Sequence, residues 1–139
     1  MKAAFLLLAG GLLGACQAEA DPLVTISDAR IVALPTSAAA YFTLANSGGR
    51  DRLVSVEAKG IGQASLHQTS MDGGIMRMRA LPDGIEIPAR GRILLSPSGR
   101  HVMIQGLDRP LVPGSEVQLK LRFERQGLVA IGTKVGGPE

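Results

Sequence analysis

The chain has one cysteine, no tryptophan, one tyrosine and three phenylalanines in 139 residues. A lone thiol at Cys16 leaves the rest of the chain without a disulfide framework, a thiolate metal site or a cysteine nucleophile. It also excludes a blue-copper electron-transfer centre, which needs a cysteine thiolate beside two histidines. No Cys-x-x-Cys-His segment occurs, and aromatics after the first twenty residues are limited to Tyr41, Phe42 and Phe123. Both facts weigh against a haem protein with His/Met axial ligands. The formal charge of +3 is carried by scattered arginines (Arg50, Arg52, Arg77, Arg79, Arg90, Arg92) with no aromatics between them. A nucleic-acid surface shows a denser basic stripe, so that class of partner is discounted. Enzyme signatures are missing too. Ser70, Ser96 and Ser98 lie near histidines but in no Gly-x-Ser-x-Gly elbow. Asp72, Asp83 and Glu86 sit in or beside turns, where carboxylates are solvated. Gly73-Gly74 lacks the helix and lysine of a phosphate loop.

The N-terminus is to be set aside from the fold. MKAAFLLLAGGLLGACQAEA has one Lys2 before a short apolar run that ends in small residues. That is the pattern of a secretory signal, too short for a comfortable membrane span. Leu13-Gly14-Ala15-Cys16 resembles a bacterial lipobox, which implies cleavage before Cys16 and lipid on its sulfur; ordinary cleavage after Ala18 or Ala20 is the alternative. The expected organisation is a lipoprotein signal peptide over 1–15, a lipid-attached tether over 16–22 and one β-domain over 23–135. The domain is long enough to bury a core of its own.

What is present in quantity is short apolar runs separated by turn residues. Strands are expected at Val24–Ala33, Ala39–Asn46, Leu53–Ala58, Gln63–Thr69, Ile75–Ala80, Ile93–Ser96, Val102–Gln105, Glu116–Glu124 and Val129–Lys134. EVQLKLRF alternates with period two, as a half-buried strand does. Between the runs lie Asn46-Ser47-Gly48-Gly49, Asp72-Gly73-Gly74, Pro82-Asp83-Gly84, Pro97-Ser98-Gly99 and Pro113-Gly114. No stretch of ten residues holds a helical period outside the signal. Eight or nine short strands at even spacing predict an all-β Greek-key barrel or sandwich.

Apart from Met1, every methionine (Met71, Met76, Met78, Met103) and both histidines (His67, His101) fall between residues 67 and 103. Taken singly, a strand methionine is core filler and a lone histidine is structural. Taken together they fall on one face. Asp-Gly is a strong hairpin signal. A loop at Asp72-Gly73 sets His67 opposite Met78 and Thr69 opposite Met76. A loop at Gly73-Gly74 sets Met78 opposite Thr69 and diagonal to His67. His101 and Met103 share a face because they are two apart on a strand. His67, Met78, His101 and Met103 therefore form a candidate metal site if the two strand regions meet. Met71 and Met76 are possible accessory ligands. Thioether sulfur is soft and uncharged, so two imidazoles and two thioethers select Cu(I) over magnesium, calcium or zinc. A purely neutral ligand set favours a transferable ion over one locked in place by thiolates.

The spacing His67, ten residues, Met78, 22 residues, His101-Val102-Met103 resembles the His/Met-x10-Met…His-x-Met signature of the PCuAC-type periplasmic copper chaperones. AAAYFTLANSGGRDRLVSVEA, DGGIMRMRAL and IEIPARGRILLSPSGRHVMIQGLDRPLVPGSEVQLKLRF resemble that family over roughly 23–124. The resemblance implies a cupredoxin-like Greek-key barrel, and the missing signatures above argue against an enzyme. The resemblance further implies one Cu(I) per chain, held by His67, Met78, His101 and Met103. The cargo would move toward the copper centres of cytochrome c oxidase, through transient contact with an oxidase subunit or another copper assembly protein. A copper-buffering or resistance lipoprotein, and a metal-free structural β-domain lipoprotein, are the alternatives. The chain stops soon after its last strand, without the His/Met-rich tail of some relatives. Anchored through Cys16, the domain would sit on the periplasmic side of a membrane. Gln17 does not resemble the inner-membrane retention signal, so the outer membrane is favoured.

Overall fold

The computed structural model describes residues 19–136. Cys16 and the expected signal peptide lie outside the described residues. Ten strands follow in chain order: β1 Val24–Ala33, β2 Ala38–Asn46, β3 Asp51–Glu57, β4 Gln63–Asp72, β5 Ile75–Ala80, β6 Ile85–Ile87, β7 Arg92–Leu94, β8 Arg100–Gln105, β9 Glu116–Phe123 and β10 Gly127–Gly136. Among the described residues there is no helix, and none therefore long and apolar enough to cross a membrane. Nine of the ten strands coincide with those expected from the sequence. The addition is β6, whose three residues between Gly84 and Pro88 are too few to show a period.

The strands run in the order β5-β4-β8-β2-β1-β10-β9-β3-β6, with β7 paired to β2. Only β1 and β10 pair in parallel. Two crossovers matter: β8 inserts between β4 and β2, and β10 returns beside β1. The sheet curls so that inward residues of β1, β2 and β8 share one core with those of β9 and β3: Ile31, Phe42, Val102 and Ile104 with Leu119, Leu121 and Leu53. Strand β9 shows the physics plainly. Val117, Leu119, Leu121 and Phe123 are buried, while Glu116, Gln118 and Arg122 are exposed, as period two demands.

A buried carboxylate stands at the end of the barrel remote from the histidines. Buried Asp51 accepts backbone N–H bonds from Arg52 (2.8 Å), Arg125 (2.8 Å) and Gln126 (3.0 Å). An uncompensated buried carboxylate would be costly; three donors satisfy it. The segment from Glu19 to Pro22, expected to belong to a tether, lies against this end. Gly49 N–H donates to Asp21 O at 3.0 Å, and Glu19 pairs with Arg50 at 2.9 Å. A Cβ at Gly48 or Gly49 would collide with the backbone carbonyls of Asp21 and Ala20, so glycine there is what lets the segment approach.

Candidate metal centre

The β4–β5 hairpin turns at Gly73-Gly74, with Asp72 opposite Ile75. This is the second of the two registers weighed above; the Asp72-Gly73 register is not the one adopted. The reason lies in the backbone. Both loop residues have positive φ (58° and 82°), as a type I′ turn requires, and two glycines meet that without a Cβ penalty. Met71 consequently faces Met76, Thr69 faces Met78 and His67 faces Ala80. The predicted direct His67–Met78 opposition is replaced by a diagonal one. A shift of two residues leaves the face unchanged, since side chains alternate with period two.

Strand β8 then completes the arrangement. In the β4–β8 ladder His67 is directly opposite His101, and Ser65 is opposite Met103. The two imidazoles have ring centroids 6.0 Å apart and planes inclined by 31°. On the other side of β8, Met103 is opposite Ala39 of β2. His67, His101 and Met103 are thus cross-strand or same-face neighbours, with Met78 one diagonal step away.

Hydrogen bonding sets the tautomers. His101 is 3% exposed, and its Nδ1 lies 3.1 Å from Gly99 O. A carbonyl only accepts, so Nδ1 carries the proton and Nε2 holds a lone pair. The same Gly99 carbonyl accepts from Thr69 N at 3.0 Å, tying the Ser96–Gly99 turn to β4. His67 Nε2 lies 2.8 Å from Ser65 Oγ, while its Nδ1 is buried with no partner. The arrangement that leaves no buried N–H unpaired has Nε2–H donating to Ser65, with a bare lone pair on Nδ1. Burial holds the His67 pKa below the ordinary imidazole value, and the neighbouring His101 adds to the effect. The hydrogen bonds thus leave the free ring nitrogens, Nδ1 of His67 and Nε2 of His101, as the ones available to a ligand-seeking ion.

Among the described residues no group of three or more His, Cys, Asp or Glu side chains could hold a metal. An ion bound between the imidazoles must take further ligands from thioethers or water. The residues present fit a soft monovalent cation: two neutral nitrogens, one of them an orphaned buried acceptor, and sulfur on the same face.

One neighbour escaped the sequence reading. The Tyr41 ring lies 6.4 Å from His101, and the Arg30 guanidinium stands 5.5 Å from the Tyr41 centroid. Burial raises the Tyr41 pKa, opposed by Arg30. Alternation in AAAYF puts Tyr41 on the face of Ala39, but only the β2–β8 register carries it across from His101.

Comparisons with known proteins now bear on this geometry. The family model described as "Putative lipoprotein LpqE-like" matches residues 24–135. The chain belongs to the LpqE-like family. A relative named "Putative lipoprotein" from Leifsonia xyli subsp. xyli is 33% identical over 86 residues, 61% of this chain and 52% of the relative. A Rickettsia prowazekii protein is 28% identical over 101 residues, 72% of this chain and 56% of the relative. The chain spans about half the length of the curated relatives it matches. Among solved structures, Cu(I)-bound DR1885 from Deinococcus radiodurans is 30% identical with a TM-score of 0.66, covering 87% of this chain and 83% of that one. The copper-bound PCuAC domain of PmoF2 has a TM-score of 0.68 at 24% identity, over 83% of this chain and 93% of that one, and speaks to fold alone. The expected cupredoxin-like all-β fold and the kinship with PCuAC-type copper chaperones are both borne out.

Proposed function

We propose that this LpqE-like protein is a Cu(I) metallochaperone of the bacterial periplasm. One tightly held ion is bound by His67, His101, Met103 and Met78. The observation that carries the reading is the direct opposition of His67 and His101, with the buried, unpartnered Nδ1 of His67. Methionine sulfur on the same face supplies what imidazole alone lacks, a preference for the soft monovalent ion. The Cu(I)-bound structure of DR1885, a relative of the same fold, supports the choice of metal. Neutral ligands leave the ion its charge and take up no proton on binding, so the cargo passes on by ligand exchange. The destination proposed is the assembly of cytochrome c oxidase copper centres, through transient contact with an oxidase subunit or another assembly protein. Lipid on Cys16 would keep the domain on the periplasmic side of a membrane, the outer one favoured; the family name supports the lipoprotein half of this.

The test is a titration against a competing Cu(I) chelator under reducing conditions. One equivalent is expected to withstand a strong competitor. His101→Ala/Met103→Ala is expected to bind at least about a hundredfold more weakly, since even residues behind a ligand cost ten- to a hundredfold. Equal affinity in wild type and double variant would remove the site.

A further inference from the structure

Two methionines are left over by the four-residue site, and their placement is unusual for an apolar side chain. Met71 and Met76 face each other across the last open pair before the Asp72–Ile75 closure. They are 65% and 69% exposed, and neither belongs to the core. Packing therefore does not account for them.

The hairpin sets the two residues directly opposite each other. Leu81 N donates to Leu66 O at 2.8 Å in the same register, so 66–81 is a hydrogen-bonded pair. Pairs alternate along an antiparallel ladder, which makes Met71–Met76 a pair without mutual hydrogen bonds. Opposed side chains there stand closest, with Cβ atoms about 4.5–5.5 Å apart on one face. Two thioethers on flexible stems can converge on one ion from that distance. Two residues inward on the same face lies Met78, about 7 Å along the strand at the usual rise. Next come His67 and His101. Arg77 and Arg79 alternate onto the opposite face, together with Asp72, the nearest carboxylate, so within the hairpin the methionine face carries no charged residue.

We infer that Met71 and Met76 form a second, weaker Cu(I) site at the hairpin tip, the port through which the ion enters and leaves the inner site. This rests on the chaperone reading above. Transfer is ligand exchange at constant oxidation state: a tip thioether is released as Met78 and then an imidazole bind, and no electron or proton moves.

The full chain and two double variants test it with Cu(I) held in a weak and a strong chelator. Met71→Leu/Met76→Leu removes sulfur at nearly constant volume on an exposed surface. Against the weak chelator the wild type is expected to take up a second equivalent that this variant lacks. Against the strong chelator the two are expected to agree within about twofold, while the variant exchanges its ion about tenfold more slowly, the size of a lost 1.36 kcal/mol contact in the transfer barrier. His101→Ala/Met103→Ala is expected to keep the weak equivalent. A second equivalent that survives in Met71→Leu/Met76→Leu, or unchanged exchange rates, would overturn the port. Loss of the tight equivalent from the wild type, with the weak one retained and still dependent on Met71 and Met76, would overturn the inner site and leave the tip.

Discussion

Strands β8 and β5 contribute to one face of one sheet, yet their surroundings are opposite. β8 is flanked by β4 and β2, with His101, Val102 and Ile104 buried around half-buried Met103. β5 is the sheet edge, and all six of its residues are exposed. His101 is therefore held in place by the packing of its strand and by the Gly99 carbonyl. Met76 and Met78 are offered from a rim that solvent, and a partner, can reach. In the chaperone reading this asymmetry separates grip from release: β8 and β4 hold the ion, and β5 hands it over. Arg77 and Arg79 on the outer strand also guard an exposed edge against pairing with another chain.

The contrast can be broken first in stability. Leu121→Ala, at a fully buried site, is expected to cost about 2–5 kcal/mol in chemical denaturation. Met76→Ala on the rim is expected to stay within about 0.5 kcal/mol. A large loss from Met76→Ala would show that β5 is structural. A second contrast lies in binding. Met78→Leu removes a half-exposed sulfur and is expected to weaken Cu(I) by about tenfold, an order less than the β8 double variant. Equal losses from the two strands would erase the division between grip and release. The smallest effect concerns pH. Burial lowers the His67 pKa in the folded chain, so the unfolded chain binds the proton more tightly. The stability that neutral His67 contributes is then complete above the ordinary imidazole pKa of about 6.5 and is lost as pH falls through the lower folded value. Thermal unfolding of the apo chain from pH 7.5 to 5 is expected to show a steeper decline in wild type than in His67→Phe. Parallel curves would mean that His67 is not desolvated in solution.

Much of the fold was legible because one chemical rule governs it. Period two in EVQLKLRF and turn residues between the runs placed nine strands. The hairpin's face was legible too, since either loop register keeps His67, Met76 and Met78 on the same side. Its register was not: Asp72-Gly73 and Gly73-Gly74 are both turn dipeptides, and two positive φ angles decided for the glycines. A four-ligand site needs His67 and His101 to meet, but no spacing along the chain dictates that they do. Local spacing says which residues share a face, never which strand lies beside which. Tyr41 was missed for the same reason, because β2 reaches β8 only through a long-range pairing.

Composition and spacing alone determined that the domain is built of short strands and that, Met1 apart, the chain's imidazoles and thioethers are gathered between residues 67 and 103. Those are properties of residue type and local period. The tertiary structure alone decided that β8 inserts between β4 and β2, which sets two histidines 6.0 Å apart, buries one and leaves two methionines at an open edge. Strand order is settled by burial of one shared core, an energy that belongs to the whole domain and to no segment of it.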